Sequence, residues 1–111
     1  EPVRSFAEVS APGYIELRDV VRRIEATLQD VVAYERINYL MLMMVDPDVH
    51  FHVIPRYAGS RQFGDIEFRD AGWPGPPALD AAVALEPATS VALLNQLREA
   101  WLRSAGQDRA P

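Results

Sequence analysis

A chain of 111 residues that is 49% apolar and 24% charged can bury one hydrophobic core, which excludes global disorder and a second domain. The absence of cysteine excludes a disulfide scaffold and any cysteine-ligated zinc or iron–sulfur centre. No apolar run approaches the roughly 18 residues of a transmembrane helix, and a net charge of −5 argues against a domain that grips a nucleic acid polymer by counterion release. All 11 basic side chains are arginine, so every cation is a planar fork suited to bidentate contact with phosphate.

In chain order, residues 1–13 read as a lead-in loop. It ends in a helix start, with Ser10 as cap and Pro12 in the first turn. Over 14–32, Leu17, Val20, Val21, Ile24, Leu28, Val31 and Val32 share one stripe, opposite Arg18, Arg22, Glu25 and Gln29. That period predicts an amphipathic helix with one buried face.

Residues 38–45 are apolar after Asn38. Leucine and methionine also suit a helix, but the short length and the Asp46-Pro47 stop predict a strand buried on both faces. Met41, Met43 and Met44 are then core residues. Residues 48–55 alternate: Val49, Phe51 and Val53 point one way, and Asp48, His50, His52 and Ile54 the other. The two segments predict a β-hairpin with a tight Asp-Pro connection.

Residues 56–78, rich in glycine and proline, predict a long surface loop packed by Tyr57, Phe63 and Trp73, with room for a short strand at 66–68. Arg56, Arg61 and Arg69 read as a solvated arginine face, with the gathering of phosphates as the alternative. A last helix is expected from residue 89 or 90 to 104, with Val91, Leu94, Leu97, Trp101 and Leu102 as its apolar stripe. Gly106 would be its stop, and 107–111 would fray.

The chain's two histidines, His50 and His52, fall on one face of a predicted strand, about 7 Å apart. Three readings compete for them. They are ordinary half-buried strand residues. They bind a metal together with Asp46 and Asp48, a donor set suited to divalent ions. Or one imidazole attacks phosphorus while the other binds a phosphoryl oxygen. A cupin-like metal site fails on spacing, because Met44 and Arg56 or Tyr57 stand where a glycine and a glutamate are required.

Asp48-Val49-His50-Phe51-His52-Val53-Ile54-Pro55-Arg56 resembles the signature of the histidine-triad (HIT) superfamily, His-φ-His-φ-His-φ-φ, which Pro-Arg often follows in the nucleotide-hydrolase branch. The order of lead-in, helix, apolar strand, motif strand, Trp73 loop and last helix is also compatible with that family. The resemblance implies an α+β fold, an antiparallel sheet with helices packed across it, commonly paired as a cytoplasmic homodimer. It implies a nucleotide hydrolase or nucleotidyl transferase acting at the α-phosphate of a dinucleoside polyphosphate. His50 would be the nucleophile that carries the nucleotidyl group, and His52 would contact the phosphate. A main-chain carbonyl would orient the second ring nitrogen of His50. No organic cofactor is implied, and magnesium enters only with the polyphosphate.

The chain departs from the pattern in three places. Asp48 stands where the first triad histidine belongs, which puts it at the substrate with His52, and a carboxylate there repels an entering phosphate unless it is protonated or turned away. The loop before the motif is only Asp46-Pro47, with no glycine- and glutamine-containing phosphate loop. The chain starts at Glu1, just after the place where the family has two further strands. The expectation is therefore one domain over 1–111 that lacks those strands and belongs to a longer protein. The rival functional expectation is a binding module that keeps the fold without the chemistry.

Overall fold

The computed structural model describes residues 2–107. The first long element is helix α1, Ala11–Val32. Its start is the one the sequence predicts. Ser10 is extended and its hydroxyl accepts the Gly13 N–H at 3.1 Å, and Pro12 lies in the first turn, where its missing N–H leaves no bond unmade. The helix ends at Ala33, whose φ of 53° is left-handed and whose N–H returns to the Gln29 carbonyl. Arg61 covers the freed carbonyls, donating from Nε to Val32 O at 2.6 Å and from Nη2 to Ala33 O at 2.8 Å. A cation at a helix C-terminus opposes the negative end of its dipole. Arg61 is thus a helix cap and no part of a solvated face.

Strands β1, Arg36–Leu40, and β2, His52–Arg56, pair antiparallel with Asn38 opposite Ile54. The hairpin expected here is corrected in its connection. Residues 41–51 carry no regular structure. Leucine and methionine are weak strand formers, and Pro47 offers no N–H to a ladder. Met44 and Val45 are exposed, at 84% and 102%, so the methionine run is not uniformly core.

The glycine-rich segment holds more order than its composition suggests. Strands β3, Ser60–Phe63, and β4, Ile66–Arg69, form a second antiparallel hairpin. Its turn uses Gly64 at φ 56°, a conformation that glycine adopts without steric cost. Tyr57 is buried and Phe63 and Trp73 are half-buried, so all three pack the segment as expected.

Helix α2 spans Pro87–Gln107 and runs through Gly106, which does not stop it. The expected fraying concerns a tail whose residues 108–111 lie outside the described residues. Its packed side keeps Leu97 and Trp101 of the expected stripe, both half-buried, but not Val91, Leu94 and Leu102, which are 57%, 45% and 72% exposed, and its most buried residues are Ala100 and Ser104. Small side chains let α2 approach α1 closely. Arg23 of α1 fills the contact, donating to Ser104 Oγ at 3.1 Å and to the Trp101 carbonyl at 2.8 Å, with its guanidinium 4.0 Å from the Trp101 ring centroid. The fold is α+β with antiparallel pairing, its strands divided between two small sheets.

Candidate functional site

His52 opens β2, and His50 lies two residues before it, in irregular chain. Even so, extended geometry keeps their alternation. The two rings meet edge to face with centroids 5.1 Å apart, closer than the spacing along an ideal strand. Phe51 turns the other way, into an apolar groove of about 410 Å³ shared with Leu17, Val20 and Ile24 of α1 and with Tyr39 and Val53. The Phe6 ring stacks edge-on against Phe51 at 5.9 Å. Phe51 is therefore an anchor that leaves its neighbouring imidazoles outside the apolar groove. His52 is exposed and His50 half-buried, so both are open to a ligand.

His50 Nδ1 lies 2.6 Å from the Asp48 carbonyl oxygen. A carbonyl only accepts, so Nδ1 carries the proton and the Nε2 lone pair of the neutral ring is free. This is the type of contact the resemblance implied, and the structure places it on Asp48. The Asp48 backbone is itself held. Its N–H donates to Asp46 Oδ1 at 3.0 Å, closing the Asp-Pro-Asp turn, and the Val49 N–H donates to the Val3 carbonyl at 2.6 Å. The Asp48 carboxylate is half-exposed and faces Arg4, with Nε 3.9 Å from Oδ1.

Val3 is not among the sequence-predicted site residues, and Asp46 is among them only as a metal ligand, not as the residue that closes the turn before His50. The Asp-Pro-Asp run, which favours a side-chain-closed turn, is a signal for Asp46. Nothing in the sequence signals Val3, because only its main chain is used. Among the described residues no group of three or more His, Asp or Glu side chains is placed to hold a metal ion, which corrects the reading that joined Asp46, Asp48, His50 and His52 around one.

The far end of β2 is anchored by charge. Arg56 is 4% exposed and donates to Asp70 Oδ2 at 2.7 Å, to Asn38 Oδ1 at 2.8 Å and to the Gly75 carbonyl at 2.8 Å. The Arg56 hydrogen bond holds the Asp70 carboxyl below its usual value, against the opposing effect of burial. Arg56, braced by Asn38, thus ties the Trp73 loop to the sheet. Arg69 is exposed and pairs with Glu67 at 2.7 Å.

No family model matches the chain, and no curated protein matches it. Solved structures do, among them two histidine triad proteins. A histidine triad (HIT) protein from Sinorhizobium meliloti 1021 superimposes with a TM-score of 0.65 at 21% identity, over 87% of this chain and 65% of that one. A histidine triad protein from Bradyrhizobium japonicum gives 0.66 at 20%, over 88% of this chain and 66% of that one. The chain thus spans just under two thirds of the length of these relatives. The antiparallel pairs, the two long helices and the match to both structures show that this chain has the fold of the histidine triad proteins.

Proposed function

We propose that the chain carries the reactive segment of a nucleotide hydrolase or nucleotidyl transferase that works at the α-phosphate of a dinucleoside polyphosphate. The observation that carries this reading is the His50 Nδ1 to Asp48 carbonyl contact, which leaves the Nε2 lone pair of an accessible imidazole free beside a second imidazole. Nε2 attacks the α-phosphorus and the P–N bond forms. The bridging P–O bond breaks, and its electron pair leaves on the departing phosphate as an anion. Nδ1 keeps its proton, so the nucleotidyl-imidazole is cationic and a good leaving group. His52 donates a ring N–H to a non-bridging oxygen on which charge develops. Water then attacks phosphorus, the P–N bond breaks, His50 regains its lone pair, and the water's proton passes to solvent.

The reading includes magnesium only as the counterion of the polyphosphate, and a homodimer in the cytoplasm. Ile15 and Leu102, 67% and 72% exposed, are apolar surface that a second copy would cover, and light scattering of the purified protein tests that mass. A second reading, a nucleotide-binding module without turnover, is favoured by one observation: the Asp48 carboxylate stands beside the pair, with an exposed arginine 3.9 Å away as its counter-charge among the described residues. Incubation with a labelled dinucleoside polyphosphate separates the two. Nucleotide release together with label on His50 supports the enzyme. Saturable binding with neither supports the module.

A further inference from the structure

The carbonyl of Asp48 and the N–H of Val49 belong to one peptide plane. That plane is gripped from both sides: Val49 N–H donates to the Val3 carbonyl at 2.6 Å, and the Asp48 carbonyl accepts from His50 Nδ1 at 2.6 Å. The preceding plane is pinned through Asp48 N–H by Asp46 Oδ1 at 3.0 Å. Both planes that meet at the Asp48 Cα are therefore fixed, in a stretch that has no strand or helix of its own to fix them. Hydrogen bonds in series polarise one another. A carbonyl whose own N–H partner is engaged is a better acceptor, so the Val3 contact strengthens the hold on the imidazole proton.

We propose that Val3, through its main-chain carbonyl, is a positioning residue for His50: the relay from Val3 through the 48–49 peptide holds the imidazole in the Nδ1–H tautomer. The lead-in arm is thereby part of the site. The same arrangement explains why Asp can occupy position 48, since the backbone at that position does the orienting and its side chain is free to face Arg4. The effect on turnover rests on the function proposed above. The effect on the tautomer does not.

The test removes each end of the Val3 bond. Deletion of residues 1–5 takes away the acceptor, and Val49→Pro takes away the donor while leaving the Asp48 carbonyl in place. Ring ¹⁵N shifts of His50, which distinguish a protonated from a bare ring nitrogen, are read across a pH series up to the plateau at its alkaline end. The full chain is expected to show Nδ1 protonated and Nε2 bare. In both variants the Nδ1–H form is expected to fall to a minority, with unchanged helical circular dichroism. Where the parent turns over a dinucleoside polyphosphate, kcat is expected to drop about ten- to a hundred-fold with KM changed less than about twofold. A variant that keeps the Nδ1–H tautomer overturns the proposal. So does a parent chain whose Val49 amide exchanges with deuterium as fast as an open loop, a measurement that does not depend on either variant folding. A parent that shows no turnover, with the tautomer still lost in the variants, leaves Val3 its role and removes the proposed reaction instead.

Discussion

Arg56 and Asp70 form a two-point ion pair, Nε to Oδ2 at 2.7 Å and Nη2 to Oδ1 at 3.2 Å, with side chains only 5% and 8% exposed. Asp70 also accepts the N–H groups of Tyr57 and Gly72, so its carboxylate closes the Trp73 loop over the end of β2. Removing one member leaves the other charge buried and unpaired. Asp70→Asn is expected to cost about 3–5 kcal/mol in urea unfolding.

The same pair sets an acid limit. The Asp70 carboxyl is lowered in the folded state, chiefly by its Arg56 hydrogen bond. The unfolded chain therefore takes up this proton first as pH falls. The pair's contribution is full well above about pH 4, the ordinary aspartate value. It is lost as pH falls through the lower folded-state value. Unfolding curves measured between neutral pH and about pH 3 are expected to lose this increment in the parent and to lose less of it in Asp70→Asn.

His50→Ala removes the attacking nitrogen and is expected to lower turnover of a dinucleoside polyphosphate about a thousand-fold or more, with loss of the labelled histidine. His52→Ala is expected to slow turnover less while leaving label on His50 in a short incubation. Equal turnover by His50→Ala and the parent would end the proposed mechanism.

Asp48→Asn removes a negative charge from the path of the phosphate and keeps the main-chain carbonyl that orients His50. At solvent-exposed distances the gain is about 1 kcal/mol, or roughly fivefold in kcat/KM. It is expected to shrink as ionic strength rises. Asp48→His restores the resembled pattern and is expected to raise the rate in the same direction. A slower Asp48→Asn would show that the side chain itself takes part.

Thr27 lies in the α1–α2 contact, 6% exposed, and its hydroxyl oxygen has no hydrogen-bond partner among the described residues. Thr27→Val exchanges that oxygen for a methyl group of similar size. It is expected to stabilise the fold by about 1 kcal/mol, visible as a higher melting temperature with unchanged turnover.

Much of this molecule is legible in the order of its residues. The helical period over 14–32, Ser10 and Pro12 at its start, the antiparallel pairing of the segments either side of Asp46-Pro47, and two imidazoles on one side with Phe51 on the other all follow from local sterics and a short repeat. Those signals act over a few residues and survive in any context. The tertiary structure decided what depends on distant partners. Arg56 became a buried anchor because Asp70 and Asn38 reach it, and Arg61 became a helix cap because α1 ends beside it. α2 turned its Ala100 and Ser104 inward because only small side chains allow α1 so close, and the period alone cannot rank small residues above large ones. The orientation of His50 rests on the carbonyl of Asp48 and, through Val49, on that of Val3. Every residue has a carbonyl, so no residue type could mark these two before the chain was folded.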